Sequence, residues 1–192
     1  NNQFKNMIKI TSGIHKNKSL ETISKFVRPT SSLKREAFFS IIESYSTKKS
    51  LSPKKGKVFL DLFAGIGTMG LEAISRGYEK AVFVENNNEV IKILKKNCKN
   101  LCFNNQYTII EQDVFNVTKD LDYDNYSVIY IDPPYFMYEI DTLLSNIQDK
   151  INKDTLVVVE TSIKDNYTKP SKLKIINKKK YGKTDLSFFV LS

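Results

Sequence analysis

Apolar and polar positions follow two different rhythms along most of the chain. Short apolar runs rich in β-branched and aromatic residues predict seven strands, at residues 58–63, 81–85, 107–111, 127–132, 155–160, 173–177 and 186–191. Longer stretches with a helical spacing of apolar residues predict helices at residues 68–76, 87–102 and 137–150. Buried strands that alternate with helices predict an α/β fold, in which a mostly parallel sheet is covered on both faces.

Only the short loop KKKYGKTD separates the last two predicted strands. A parallel pair would need a long crossover connection, so we expect these two strands to pair antiparallel. Seven strands with an antiparallel last strand do not match the plan of a nicotinamide-binding domain. The pattern therefore predicts a Rossmann-like sheet of a different type.

The chain before the first of these strands predicts a small extension. Residues 7–23 alternate around a Gly-His-Lys-Asn turn, which is typical of a hairpin. Ser31 or Ser32 is a suitable N-cap for a following helix, whose apolar stripe comprises Ala37, Phe38, Ile41, Ile42 and Tyr45. The polar, basic stretch 46–57 predicts a linker. We expect an extension over residues 1–52 and a main domain over residues 53–192.

A glycine-rich turn, G-x-G-x-x-G, follows the first strand of the main domain at Gly65, Gly67 and Gly70. A strand, this turn and a helix are the context of a dinucleotide site. The glycines report only a tight turn and a close approach of the backbone, so they leave the ligand open.

Acidic residues near three successive predicted strand ends narrow the choice of ligand. Asp61 beside the turn would repel a pyrophosphate and attract the ammonium and sulfonium of S-adenosylmethionine. Glu85 is placed to accept hydrogen bonds from both ribose hydroxyls, an arrangement that NAD proteins share. Asp113 is placed to accept a hydrogen bond from an adenine amino group. Neighbouring residues complete the predicted cofactor site: Phe63, Ala64, Asn86 and Val114.

The fourth predicted strand runs into Asp132-Pro133-Pro134-Tyr135. Two prolines hold the backbone extended, so the Asp132 carboxylate and the Pro133 carbonyl can accept hydrogen bonds at one point. Two acceptors on the hydrogens of an arylamine favour a pyramidal nitrogen whose lone pair is free to attack. Tyr135 offers a flat face on which an extruded base can stack. These four residues form the predicted catalytic segment, and Asp132 also borders the cofactor site.

Composition agrees with a globular protein that binds a polyanion. The hydrophobic fraction is 41%, the aromatic fraction is 11%, and the formal net charge is +9. Such an excess of lysine favours nucleic acid over a membrane surface. No metal-ligand cluster is evident in the sequence, and Cys98 and Cys102 are expected to be reduced thiols.

Four segments in order resemble the bacterial methyltransferases of guanine N2 in small-subunit ribosomal RNA: "RPT…RE-A-F-F" at 28–39, "DLFAGIGTMGLEAISRG" at 61–77, "DPPY" at 132–135 and "YGKTDLSFF" at 181–189. The resemblance implies a class I methyltransferase fold, S-adenosylmethionine as methyl donor, and ribosomal RNA or an assembling 30S-type particle as partner. We expect a monomer, in the cytoplasm if the source is bacterial; the alternative is an organelle, plastid-like or mitochondrial, of a eukaryotic parasite. We expect RNA contacts from Arg28, Thr30, Arg35, Lys178, Lys179, Lys180 and Lys183.

The chain departs from the family pattern in the expected RNA-contacting region. Ser12-Gly13 stands where a Gly-Gly pair is usual, and Ser32-Leu33 stands where the family usually has an acid and an arginine. Three other functions stay open on the sequence: a DNA adenine-N6 methyltransferase, a nicotinamide oxidoreductase, and a non-catalytic RNA-binding protein with a methyltransferase fold. The oxidoreductase explains neither Asp61 nor the Asp-Pro-Pro-Tyr segment.

Overall fold

The structure, a computed structural model, describes residues 7–23, 31–49, 57–123, 125–134 and 139–192. Within these residues the strands are β1 (Ile8–Lys9), β2 (Ser19–Leu20), β3 (Val58–Asp61), β4 (Lys80–Val84), β5 (Tyr107–Ile110), β6 (Tyr126–Ile131), β7 (Leu156–Ser162), β8 (Leu173–Tyr181) and β9 (Thr184–Leu191). The α-helices are α1 (Ser32–Lys48), α2 (Thr68–Ser75), α3 (Asn88–Leu101), α4 (Val114–Asp120) and α5 (Ile140–Gln148). In this part of the chain, no helix is both long and apolar enough to cross a membrane.

Seven strands form one sheet in the order β5-β4-β3-β6-β7-β9-β8. The pairs from β5 to β7 are parallel, and β9 runs antiparallel to both of its neighbours. The predicted seven-stranded sheet with an antiparallel last strand is therefore confirmed. The strand order reverses between β3 and β6, and ligands of open α/β sheets bind at such a point, beyond the carboxyl ends of the strands.

Successive residues of the central strands face opposite sides of the sheet and enter two separate cores. Phe59 belongs to the core under α1, α2 and α3, whereas its neighbour Leu60 belongs to the core under α4 and α5. This alternation follows from the two-residue period of a strand. Both faces are covered, so the carboxyl edge of the sheet is left for a ligand.

The N-terminal residues pack directly on this sheet. β1 and β2 form the expected antiparallel hairpin, and Ser31 caps α1 by accepting a hydrogen bond from the backbone of Lys34 at 3.2 Å. Phe38 packs edge-on against the ring of Tyr130, with 5.2 Å between ring centroids. The predicted boundary between residues 52 and 53 lies outside the described residues, but α1 on its N-terminal side shares the core of the main sheet.

A buried glutamate of α2 holds the hairpin in place. Glu72 is fully buried and accepts hydrogen bonds from the backbone of Thr11 at 2.9 Å and of Ser12 at 3.0 Å. It also pairs with Arg35 at 3.2 Å and with Arg76 at 3.0 Å. Gly13 makes the close approach possible, because an added Cβ there would lie 1.7 Å from the carbonyl oxygen of Ser75.

Three features differ from the sequence-based expectations. Helix α4 was not predicted, because its seven residues are too short for a clear periodicity. The stretch expected as the start of the last helix lies partly outside the described residues, and α5 begins at Ile140. The predicted loop 178–185 is strand instead: β8 and β9 extend until only Gly182-Lys183 joins them. Gly182 has φ +59°, as the first position of a two-residue hairpin turn requires.

Replacing Glu72 by alanine should lower the free energy of unfolding by about 3–5 kcal/mol, because Arg35 would then be buried without its ion-pair partner. Arg76 would keep only its second pair, with Glu36. Chemical denaturation measures this value. Glu111→Ala is the matched control: its side chain is 46% exposed and pairs with Lys95 at the surface, so less than about 1 kcal/mol is expected. Equal effects of the two substitutions would contradict a structural role of the Glu72 cluster.

Candidate cofactor and catalytic site

Three adjacent strands bring predicted site residues to one edge of the sheet. Asp61 is the last residue of β3, Glu85 follows β4, and Asp132 follows β6. The three strands lie side by side in the order β4-β3-β6. The three acids therefore lie at the ends of neighbouring strands, on the carboxyl edge of the sheet.

Asp61 presents a buried acceptor without a donor. The residue is 1% exposed, and burial raises the pKa of its carboxyl to about 7. Backbone N–H groups of Phe63 and Gly70 oppose this rise, while the charge of Glu85 adds to it. Among the described residues, no donor reaches Asp61 Oδ1. A buried oxygen without a partner costs free energy, so this position favours a cationic or donor ligand.

Backbone groups orient the Glu85 carboxylate. Gly65 N–H donates to Oε2 at 2.9 Å, and the N–H groups of Asn86 and Asn87 both donate to Oε1 at 3.0 Å. Gly65 has φ +54°, and an added Cβ would meet nothing within 4 Å, so open space lies beside the turn. The half-buried carboxylate is held rigidly and keeps acceptor capacity for a ligand.

The other two glycines of the motif face the protein interior. An added Cβ on Gly67 would lie 2.6 Å from the side chain of Leu94, and one on Gly70 would lie 2.3 Å from the ring of Phe83. These glycines permit close packing of the turn and α2. Ala64 is buried as well, and its N–H donates to the carbonyl oxygen of Val84 at 2.9 Å. All three residues therefore support the turn on its interior side.

Asp113 occupies a different position from the one expected. β5 ends at Ile110, and Asp113 is the N-cap of α4, where its Oδ1 accepts from the N–H of Phe115 at 2.9 Å. Its Oδ2 lies 3.5 Å from the side-chain amide of Asn86. A small cavity of about 20 Å³ lies next to this pair, and it is lined by Leu62, Phe63, Val84, Glu85, Asn86, Gln112 and Val114. Gln112 and Leu62 were missed by the sequence reasoning.

The Asp132-Pro133-Pro134 segment lies at the end of β6, and Tyr135 lies outside the described residues. The half-buried Asp132 has its Oδ2 3.4 Å from the hydroxyl of Tyr130. Tyr130 also donates to Glu160 at 2.6 Å, and Glu160 pairs with Lys34. Burial raises the pKa of the Tyr130 phenol well above its usual value, and the charges of Asp132 and Glu160 add to this effect.

Tyr130, Glu160 and Lys34, which adjoin Asp132 through these contacts, carry no motif in the sequence. A single acid inside the apolar run LVVVETS was the one available signal for Glu160. Nothing in the sequence distinguished Lys34 from the other lysines of this basic chain.

A larger cavity of about 400 Å³ opens beside the two prolines. Its lining combines the start of α5 with the segment after β7, and comprises Pro133, Pro134, Glu139, Ile140, Asp141, Lys164, Asp165, Asn166 and Tyr167. Its volume is in the range of sites for small organic groups.

The predicted RNA contacts fall into three groups. Lys178, Lys179, Lys180 and Lys183 are exposed on β8 and its hairpin turn, and Lys178 pairs with Asp185 at 3.1 Å. Lys183 O accepts from the N–H of Ile163 at 3.1 Å, so this turn lies beside the carboxyl end of β7. Arg28 and Thr30 lie outside the described residues.

Arg35 requires a correction. It is 3% exposed and its guanidinium faces Glu72. A buried, paired arginine has no surface to offer a phosphate, so Arg35 stabilises the fold and does not contact RNA.

Comparison with known proteins agrees with this geometry. The family described as conserved hypothetical protein 95 matches residues 8–190. Ribosomal RNA small subunit methyltransferase D of Buchnera aphidicola (subspecies Acyrthosiphon pisum) is 30% identical over 155 residues, which cover 80% of this chain and 76% of that protein. The protein of the same name from Haemophilus influenzae is 28% identical over 162 residues, covering 82% of this chain and 80% of that protein.

A solved structure shows the same fold. It is an RNA methyltransferase from Salinibacter ruber in complex with S-adenosyl-L-homocysteine, with a TM-score of 0.64 and 14% identity, covering 85% of this chain and 94% of that chain. The sheet order, the helices on both faces and this likeness identify a class I methyltransferase fold. With a family match over nearly the whole length, the chain belongs to the conserved hypothetical protein 95 family, which includes the ribosomal RNA small subunit methyltransferases D.

Proposed function

We propose that this protein transfers a methyl group from S-adenosylmethionine to the exocyclic N2 amino group of a guanine in small-subunit ribosomal RNA. One observation carries the proposal: the buried Asp61, which has an unsatisfied oxygen, ends the strand next to β6, and Asp132-Pro133-Pro134 directly follow β6. The first feature fits a cationic donor and the second fits an amine acceptor. The relatives named above support ribosomal RNA as the substrate.

The residues at this edge of the sheet fit three groups of the donor: its ammonium, its ribose and its adenine. Asp61 Oδ1 would accept from the ammonium group, and Glu85 from the ribose hydroxyls. Phe63, Asn86 and Val114, which line the small cavity beside Glu85, would contact one edge of the adenine. A dinucleotide fits less well, because Asp61 beside the glycine turn would face its pyrophosphate with negative charge. When bound, the donor supplies a methyl group on sulfonium, which is an excellent leaving group.

Asp132 and the Pro133 carbonyl would hold the acceptor amine. Both accept hydrogen bonds, so they would orient the amine hydrogens and leave the nitrogen lone pair directed at the methyl group. Holding two reactants in line supplies roughly 7–11 kcal/mol of a barrier. The 400 Å³ cavity beside Pro133 and Pro134 would hold the rest of the base. Tyr135 as a stacking face stays a prediction.

The lysines of β8 and its turn would contact phosphates, because they are exposed at the same edge as the site. Such contacts position the enzyme and carry no sequence information. Since the relatives named above come from bacteria and the proposed substrate is ribosomal, we place the protein in the cytoplasm, as a monomer acting on RNA or an assembling 30S-type particle.

Incubation with labelled donor tests the proposal directly. Small-subunit ribosomal RNA, 30S-type particles and duplex DNA serve as parallel acceptors, and the modified nucleoside is then identified by mass spectrometry. The proposal expects N2-methylguanosine from an RNA-containing acceptor. If the product is instead N6-methyladenine in DNA, the proposed function is wrong and the protein is a DNA methyltransferase.

Donor affinity should depend on pH through Asp61. The pKa of its carboxyl is raised to about 7, so it is increasingly protonated as the pH falls, whereas the donor ammonium binds the ionised form. Affinity should therefore decrease by up to about tenfold per pH unit below about 7. Calorimetry between about pH 5.5 and 7 measures this effect while the donor amine stays charged.

Asp61→Asn is the control for this pH dependence. It should bind the donor more weakly at pH 7, with an affinity that no longer follows the pH. NAD in the same calorimeter should bind neither protein. An unchanged affinity of the natural protein over this range would exclude Asp61 as the ammonium partner.

Asp132→Ala should fold, bind the donor nearly as well as the natural protein, and lose roughly 10²–10⁴-fold in methyl-transfer rate. Asp132→Asn keeps one acceptor oxygen and should retain more activity. Single-turnover rates with donor already bound separate this effect from donor affinity. Asp149→Ala, which changes an exposed acid at the end of α5, should leave the rate unchanged. Full activity of Asp132→Ala would show that the segment is only a structural turn.

Charge reversal of Lys178, Lys179 and Lys180 to glutamate should weaken binding to different RNA sequences about equally. The slope of log affinity against log salt should decrease by about one for each phosphate that the protein no longer neutralises. Reversal of Lys95, Lys96 and Lys99 on α3 changes the net charge equally and serves as the control. If both triple variants weaken binding alike, β8 is not a specific part of the RNA surface.

A further inference from the structure

A chain of polar contacts runs from α1 through the core to Asp132. Lys34 on α1 pairs with Glu160 on β7, and Glu160 accepts from the hydroxyl of Tyr130 at 2.6 Å. The same hydroxyl lies 3.4 Å from Asp132 Oδ2. Lys34 is 8% exposed, Glu160 3% and Tyr130 2%, so the first three members are buried.

Burying these polar and charged groups costs free energy of hydration unless they form hydrogen bonds and ion pairs with one another. A buried ion pair often contributes no more to stability than apolar residues of the same size would. An ordinary apolar contact between α1 and the sheet already exists nearby, where Phe38 packs on Tyr130. The polar chain is therefore not needed merely to attach α1.

The charges around the Tyr130 hydroxyl determine how it contacts Asp132. Three carboxylates raise the pKa of the Tyr130 phenol besides its burial: Asp132, Glu160 and Asp61. Lys34 contacts Glu160 directly and neutralises it. The single hydroxyl hydrogen of Tyr130 lies between two acceptors: Glu160 is the nearer one at 2.6 Å, and Asp132 Oδ2 is the second at 3.4 Å. The longer contact limits how the carboxylate can rotate but leaves it acceptor capacity toward the crevice.

We propose that Lys34, Glu160 and Tyr130 are positioning residues that act on methyl transfer through Asp132. Tyr130 sets the orientation of the Asp132 carboxylate, Glu160 fixes the Tyr130 hydroxyl, and Lys34 supplies the counter-charge. Lys34 lies at the start of α1, directly after the segment with the expected RNA contacts Arg28 and Thr30. Correct placement of α1 is thereby a condition for a correctly oriented acceptor at the site.

This inference rests on the proposed role of Asp132 and is tested by a double-mutant cycle. Tyr130→Phe keeps the ring and its packing but removes the hydroxyl. It should lower the single-turnover rate of methyl transfer to small-subunit ribosomal RNA by about 5–30-fold, with unchanged donor affinity and RNA KM. In the Asp132→Ala background the same substitution should change the rate by less than about twofold, because its target is absent.

Tyr78→Phe is the matched control. Tyr78 is a second buried tyrosine of the same aromatic cluster, packed on Phe39 and Phe59. Its substitution should leave the rate unchanged in both backgrounds. Glu160→Gln, which still accepts from Tyr130 but cannot balance Lys34, should give a smaller loss than Glu160→Ala, which removes the acceptor.

The outcomes separate this inference from the proposed function. A natural protein that methylates none of the RNA acceptors overturns the proposed function and this role with it. An active natural protein combined with a fully active Tyr130→Phe overturns only the positioning role. The positioning role is also overturned if Tyr130→Phe lowers the rate equally in the natural and the Asp132→Ala backgrounds, since the hydroxyl would then act independently of that carboxylate.

Discussion

Two neighbouring cations of α1, each paired with a buried carboxylate, set the arrangement on which the rest of the molecule depends. Arg35 reaches Glu72 on α2, and Lys34 reaches Glu160 on β7. Buried ion pairs require good geometry to offset their loss of hydration, so they tolerate few placements of the helix. Apolar packing by Phe38 and Phe39 supplies the attraction between α1 and the sheet, whereas the ion pairs restrict its position. The N-terminal hairpin is then held by the same Glu72.

Buried carboxylates have opposite meanings in different parts of this fold. Glu72 is surrounded by backbone N–H groups, a hydroxyl and two arginines, and it is a structural element. Asp61 is equally buried, yet one of its oxygens finds no donor among the described residues, and its pKa is raised. The difference follows from position: Asp61 ends a strand at the open edge of the sheet, where a ligand can supply the donor. Such an incompletely satisfied group indicates a binding site better than burial alone does.

The lysines of β8 serve a structural need as well as the proposed one. β8 is one of the two edge strands of the seven-stranded sheet, and exposed edges promote pairing with other chains. Charged side chains on such an edge oppose that association, so part of the basic character of this strand has a reason independent of RNA. The hairpin turn nevertheless lies at the carboxyl end of β7, on the same edge as Asp132. Protection against association depends on the length of the β8 edge, whereas the proposed RNA contact lies at the end of β8, so the two roles are compatible.

The sequence by itself determined the succession of the seven main strands and the longer helices, the antiparallel last strand and the acids at the sheet edge, because these depend on periodicity and on residues next to their motifs. Asp61, Glu85 and Asp132 could be predicted for this reason. Tertiary structure alone decided which polar residues are buried together. Lys34 and Glu160 are 126 positions apart in sequence, and Arg35, which the sequence predicts as a surface cation, is buried against Glu72. Asp113 likewise caps α4. This role could not be predicted, because a helix of seven residues leaves little periodic signal in the sequence. A contact between distant residues depends on how elements pack, and local sequence patterns do not encode that packing in a form that can be read from one chain.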